Sequence, residues 1–324
     1  HNAQPERLLN MNPAQATSLP ALIRPNTWLA QAWYAAQQYR GSGYIGRFAP
    51  SPSGKLHQGS LIAALASYLH AHWHGGVWLV RMEDVDQSRC TRTTGEHQLA
   101  TLRALGFQFD ESVIRQTERF AVYRAAFAQL RAHQRVYPCA CTRRQIAERQ
   151  AQLGLSRYPQ TCSHGIAAGA PIRSWRFAVA DEVVTWTDES GQSTTEVLAQ
   201  TSGDFVLRRG AGDTDDWAYQ LAVVVDDAAQ GVTHIVRGAD LWNSTARQIA
   251  LQHALGYPTP HYSHVPLLTN AHGEKLSKRE QAPELDALNP LAALHHAWRF
   301  LGGQAFTCSN IEAFWQVVLN PLSE

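Results

Sequence analysis

The run from Tyr44 to Met82 constrains this chain more than any other stretch. Tyr44 to Ala49 reads as a short strand. Pro50-Ser51-Pro52-Ser53-Gly54 follows, and two prolines with a glycine exclude regular pairing, so this is a loop. Helical periodicity then runs from about Ser60 to His74 through Leu61, Ala64, Leu65, Tyr68 and Leu69. Gly75-Gly76 ends it, and Val77-Trp78-Leu79-Val80-Arg81-Met82 reads as a buried strand. Strand, helix and strand at this spacing form a βαβ unit, which implies an α/β fold on a parallel sheet. In such a sheet, ligands bind outside the carboxyl ends of the strands.

Further along, helical patterns cover about 93–105 and 118–134. Residues 138–200 differ, with clustered cysteines, Gly/Pro/Ser punctuation and alternating runs such as Val183-Val184-Thr185-Trp186. They read as an insertion. The α/β pattern returns with a helix near Trp217–Asp227, a strand at Thr233–Arg237 and a helix over 244–255. The division expected is an N-terminal appendage at 1–42 and a first catalytic half at 43–137. The insertion at 138–200 and a second half at 201–272 follow, then a lysine loop and helical region at 273–324. The appendage holds a helical pattern at Trp28, Leu29, Ala32, Trp33 and Ala36. The first residue is His1 rather than Met, so the N-terminus reads as processed or as an artificial leader, with Met11 a candidate start.

Composition narrows the function classes. With 44% hydrophobic residues there is material for a core, which rules out disorder as the main state. A balance of 28 basic against 27 acidic residues excludes a polycationic tail, yet a basic patch can sit on a neutral protein. There is no apolar run of about 18 residues and no secretory h-region, so no membrane association is expected. Five cysteines are too few, and odd in number, for a disulfide framework. A reducing compartment, the cytoplasm, is the expected address.

Several motifs bear on chemistry. Gly41-Ser42-Gly43-Tyr44-Ile45-Gly46 matches G-x-G-x-x-G but precedes the strand, where it cannot bring a pyrophosphate to a helix N-terminus. His57-Gln58-Gly59-Ser60 sits where the loop enters the helix. Free N–H groups and the positive dipole end there suit phosphate, His57 adds a donor, and Gly59 lets a flat group approach the backbone. Gly273-Glu274-Lys275-Leu276-Ser277-Lys278 carries two lysines three apart, point charges suited to a polyphosphate. Cys139-x-Cys141 and Cys162 offer three thiolates to a structural zinc, and general ligand chemistry names His164 as the fourth.

His57-Gln58-Gly59-Ser60 paired with Lys275-Leu276-Ser277-Lys278 resembles the double signature of class I aminoacyl-tRNA synthetases. Arg47-Phe48-Ala49-Pro50-Ser51-Pro52-Ser53-Gly54, Arg81-Met82-Glu83-Asp84-Val85-Asp86, the Tyr219–Asp227 stretch and Arg237-Gly238-Ala239-Asp240 resemble the glutamyl/glutaminyl branch. The resemblance extends to the short paralogues of glutamyl-tRNA synthetase that act on queuosine in tRNA(Asp), and it covers about residues 43–300. It departs at Ser60, where the signature has histidine.

The resemblance implies a Rossmann-like catalytic sheet, a zinc-containing insertion and a short helical C-terminal region. Only 45 residues follow Arg279, fewer than a domain of about 100, so no anticodon-binding domain is expected. The implied partners are ATP with Mg²⁺, L-glutamate, and tRNA(Asp) carrying queuosine at its wobble position; no obligate protein partner is expected. Glutamate would be activated without tRNA. Arg47, Ser51, Glu83, Tyr219 and Arg237 are the implied glutamate contacts. His57, Gly59, Ser60 and Lys278 would hold ATP, and His57, Lys275 and Lys278 would act in catalysis. In the cysteine cluster the resemblance points to Tyr158, not His164, as the fourth zinc ligand. The chemistry of the pocket agrees. A guanidinium meets a carboxylate bidentately, Glu83 suits an ammonium, and Ser51 and Tyr219 can donate. Two alternatives are an atypical glutamyl-tRNA synthetase and a non-catalytic zinc-stabilised tRNA-binding protein.

Overall fold

The structure, a computed structural model, describes residues 18–39, 43–211, 214–268, 284–285 and 288–322. Helix α1 (Trp28–Tyr39) leads, followed by strand β1 (Ile45–Phe48), helix α2 (Gln58–Trp73) and strand β2 (Val77–Met82). β1 and β2 pair in parallel, Ile45 opposite Val77 and Phe48 opposite Val80. The expected βαβ unit is therefore present. α2 starts earlier than periodicity indicates, because His57 is its N-cap. Extended backbone at His57 and reciprocal contacts with Ser60 form a capping box. Leu61, Ile62, Leu65 and Leu69 are buried, so α2 lies against the sheet, and α1 packs beside it.

Helix α3 (Arg92–Ala104) leads to the two-residue strand β3 (Ile114–Arg115), parallel to β2, and then to α4 (Phe120–Ala132). The insertion region supplies β4 (Val136–Cys139), α5 (Arg143–Leu153), β5 (Ser174–Phe177), β6 (Val183–Thr187) and β7 (Ser193–Val197). With β8 (Phe205–Arg209) it makes an antiparallel sheet in the order β4-β5-β8, beside a β6–β7 hairpin. The alternation in β6 is real: Val184 and Trp186 are buried while Val183, Thr185 and Thr187 are exposed. α5 buries no residue, so no apolar stripe marked it in the sequence.

After α6 (Tyr219–Ala229), strand β9 (His234–Gly238) pairs in parallel with β10 (His261–Val265) across helix α7 (Thr245–Leu255). Helices α8 (Pro290–Leu301) and α9 (Ile311–Leu319) follow and pack against α2. Thr233 donates its N–H to the Ile45 carbonyl at 2.9 Å, and Ile45 donates to the Thr233 hydroxyl at 2.9 Å. β9 thus runs beside β1, and the strands lie in the order β3-β2-β1-β9-β10. The chain changes direction of build-up between β1 and β9, which opens a crevice at their carboxyl ends.

At the other end of these strands lies a buried stack. Tyr44 stacks on His74 and His234 at 4.7 and 4.3 Å. His70 meets Glu189 from the β6–β7 turn at 2.9 Å. Burial pushes His74 down to about 4 and His234 down to about 3, with neighbouring imidazoles adding to both shifts, so both rings are neutral at pH 7.

Candidate functional site

The crevice between β1 and β9 holds a cavity of about 320 Å³, on the scale of small-molecule pockets. Arg47, Ser51, Glu83, Tyr219 and Arg237 all line it, with Ala63 of α2 and Leu241 among the apolar walls. The five residues named from sequence as glutamate contacts are thus brought to one place. They come from the ends of β1, β2 and β9, from the loop after β1 and from the first turn of α6.

The two arginines are held differently. Arg47 is buried and binds Asp227 with two bonds, Nε to Oδ1 at 3.0 Å and Nη2 to Oδ2 at 3.1 Å. Asp227 also accepts from Arg81 Nη2 at 2.7 Å. Burial pushes the Asp227 carboxyl up, but Arg47 and Arg81 outweigh it and hold it below its ordinary value. Asp226, the preceding residue on α6, faces elsewhere and accepts from Gln116, Arg119 and Tyr123. Arg237 is equally buried, but its acceptors are uncharged. Gln248 Oε1 lies 2.6 Å from Nη1, Thr245 Oγ1 2.7 Å from Nη2, and His264 Nε2 3.3 Å from Nε. Among the described residues no carboxylate lies within ion-pair distance of Arg237. A buried guanidinium without a counter-charge is a place for an anion.

Glu83 lies on the opposite wall, 3.3 Å from Arg81 Nη2. Burial pushes its carboxyl up to about 7, with Arg81 and Arg47 working against that rise. The Ser51 hydroxyl donates to the Glu83 carbonyl at 3.0 Å. Ser51 therefore presents lone pairs to the cavity, where sequence reasoning assigned it a donor role. Burial raises the Tyr219 phenol above its ordinary value, which keeps it protonated and able to donate. The cavity thus carries the guanidinium of Arg237 together with an acidic group and a hydroxyl acceptor.

His57, Gly59 and Ser60 form the first turn of α2, ahead of Ala63 in the cavity wall. The Ser60 N–H donates to His57 Nδ1 at 3.4 Å, so the ring proton of a neutral His57 is on Nε2. A Cβ on Gly59 would meet the His57 ring at 3.1 Å. The glycine therefore seats that ring as well as baring backbone. Lys275 and Lys278 lie outside the described residues. Glu284, six residues beyond Lys278, forms a backbone bridge with His57, and Leu285 donates to the Leu56 carbonyl at 3.0 Å.

The cysteine cluster sits apart, at the end of β4 and in the loop after α5. The Sγ atoms of Cys139, Cys141 and Cys162 lie within 4.8 Å of one another. The Tyr158 hydroxyl is 3.3 Å from Cys139 Sγ and 3.8 Å from Cys141 Sγ, and Cys141 and Cys162 are 3.5 Å apart. Tetrahedral zinc with bonds of about 2.3 Å has edges of about 3.8 Å, so this donor set fits the ion. His164 is exposed and outside the cluster. The Arg176 guanidinium stacks on the Tyr158 ring at 3.7 Å and offsets negative charge collected there.

Residues that sequence reasoning did not single out are Arg81, Asp227, Gln248, His264 and Asp188. A buried carboxylate late in α6 was the available signal for Asp227. For the others nothing local marks the role, because each acts on a residue distant in sequence.

Residues 45–288 match the family described as tRNA synthetases class I (E and Q), catalytic domain. A glutamyl-Q tRNA(Asp) synthetase of Janthinobacterium sp. (strain Marseille) is 50% identical over 284 residues, 85% of this chain and 95% of the relative. One of Verminephrobacter eiseniae is 50% identical over 284 residues, 85% of this chain and 96% of the relative. Among solved structures, the glutamate-tRNA synthetase of Elizabethkingia anophelis aligns with a TM-score of 0.65 at 26% identity. It covers 74% of this chain, which spans only 53% of that longer protein. No described helix is long and apolar enough to cross a membrane. The α/β fold, the cavity at the strand ends and these relatives agree: the chain belongs to the class I tRNA synthetases of the E and Q kind, among the glutamyl-Q tRNA(Asp) synthetases.

Proposed function

We propose that this chain activates glutamate with ATP and transfers it to queuosine at the wobble position of tRNA(Asp). The observation that carries the reading is buried Arg237, which no described carboxylate answers, lining one cavity with Glu83. Arg47 and Arg237 supply positive charge for carboxylates of glutamate, and Tyr219 donates to one of them. Ionised Glu83, with the Ser51 lone pairs, takes the ammonium. The α-carboxylate then attacks the α-phosphate of ATP, forming the acyl–phosphate bond as the bond to pyrophosphate breaks. Charge that develops on the phosphate oxygens is met by the α2 N-terminal turn at Gly59 and Ser60, by the His57 Nε2 proton and by Lys275 and Lys278, with Mg²⁺ accompanying ATP. A hydroxyl of the queuosine ring attacks the glutamyl-adenylate and AMP leaves.

Cys139, Cys141, Tyr158 and Cys162 would hold one zinc ion, which would brace a region whose helix α5 buries nothing. Thiols kept reduced for that ion accord with a cytoplasmic address. Metal analysis should find one zinc per chain, lost in Cys162→Ser. Equal zinc in that variant would exclude this site.

The deciding experiment is glutamate-dependent ATP–pyrophosphate exchange with no RNA, followed by charging of tRNA(Asp) with and without queuosine. Exchange without RNA and charging only of the modified tRNA are expected. Exchange that needs tRNA(Glu) would instead mark an atypical glutamyl-tRNA synthetase.

A further inference from the structure

Arg237 has a supporting chain that leads out of the catalytic sheet. In the parallel pairing of β9 and β10, Arg237 and His264 are direct cross-strand partners, so their side chains share a face. His264 is buried, and its Nε2 lies 3.3 Å from Arg237 Nε. An arginine Nε–H can only donate, so His264 Nε2 must be an unprotonated acceptor. The other ring nitrogen settles that tautomer: Nδ1 is 2.9 Å from Asp188 Oδ1. Asp188 is itself buried and clamped, accepting the His264 N–H at 2.9 Å and the Ser190 N–H at 3.0 Å. It belongs to the turn of the β6–β7 hairpin, far from the cavity in sequence. Burial lowers the His264 imidazole below its ordinary value; the bond to Asp188 opposes this, and the Arg237 cation adds to it.

We propose that Asp188 and His264 are positioning residues for Arg237. Asp188 fixes the proton on Nδ1, and the free Nε2 lone pair holds the guanidinium in the plane that meets a substrate carboxylate. The β6–β7 hairpin thereby sets the grip on glutamate without touching it. The inference rests on the reading of the cavity as the glutamate pocket.

Three substitutions at one position separate positioning from packing. Glutamine places its amide where Nε2 stood and can still accept from Arg237. Asparagine reaches only the Nδ1 position and keeps the Asp188 contact alone. Leucine keeps neither. In ATP–pyrophosphate exchange, His264→Asn and His264→Leu should raise the glutamate KM about tenfold or more, the scale of one hydrogen bond to a charged group. The kcat and the ATP KM should hold within about threefold, and His264→Gln should stay within about threefold of the parent in all three. His264→Asn matching the parent, or Gln and Leu falling alike, would overturn the proposal.

A second readout needs no substrate. The Arg237 Nε–H signal, assigned by its loss in Arg237→Lys, should be protected from hydrogen exchange in the parent and in His264→Gln, and exposed in the Asn variant. Equal protection in all of them overturns the positioning role even if the pocket binds another ligand. Absence of glutamate-dependent exchange by the parent, with the protection pattern intact, would overturn the glutamate reading and leave the positioning role standing.

Discussion

The two walls of the cavity carry arginines of the same burial and opposite electrostatic circumstance. On the β1 side, Arg47 shares Asp227 with Arg81, so its charge is answered inside the protein. On the β9 side, Arg237 is met by an amide, a hydroxyl and an imidazole. Uncharged acceptors orient a guanidinium without neutralising it. The first arrangement answers most of its charge within the protein, and the second leaves its charge unmet by any described carboxylate. Burial of a charge thus means different things depending on which groups surround it.

The sharpest break in this comparison is Asp227→Ala. It removes the two-bond carboxylate partner of buried Arg47 and one of the carboxylates around Arg81, which keeps Glu83 at 3.3 Å, and should cost about 3–5 kcal/mol of stability, read as a lowered denaturant midpoint. A loss under 1 kcal/mol would mean that the β1 wall is not built on this pair. Arg237→Gln should do the converse. It removes a charge that no described carboxylate answers, so stability should move less than in Asp227→Ala. Glutamate binding should weaken by about 2–4 kcal/mol, roughly 30- to 1000-fold in Kd by calorimetry. Unchanged affinity would remove Arg237 from the pocket.

The smallest effect expected concerns pH. The Glu83 carboxyl is pushed up from 4.5 to about 7 by burial. Between those values the folded protein holds a proton that the unfolded chain has released, so Glu83 costs stability as pH rises through that window. Binding has the opposite sign, because only the ionised group pairs with an ammonium. Glutamate affinity without ATP should therefore rise about tenfold between pH 6 and pH 8. In Glu83→Gln that slope should vanish; a surviving slope would assign it to another group.

Much of the site was legible in the primary structure. Arg47 and Arg237 were recognisable because each ends a strand that reads as buried, and the parallel sheet places strand ends together. Glu83 followed from the same logic. The donors of the cysteine cluster were visible as spacing, but spacing left Tyr158 and His164 open, since both are near Cys162 in sequence, and only the resemblance favoured Tyr158. The folded loop turns the Tyr158 hydroxyl onto the sulfurs and leaves His164 exposed. Nor could periodicity show that His57 is a cap: a cap is defined by backbone angles and by a bond to Ser60.

What the sequence determined by itself was the alternation of strands and helices, the strand-end charges and the motif residues, because these depend on neighbours a few positions apart. What only the tertiary structure decided was which charge is answered and which is left open. Asp227 reaches back to Arg47 across 180 residues, and Asp188 reaches forward to His264 across 76. Such pairings arise when a helix lies on a sheet or a hairpin turn seats against an edge strand. They follow from the register of packed elements, which no local pattern of residues encodes.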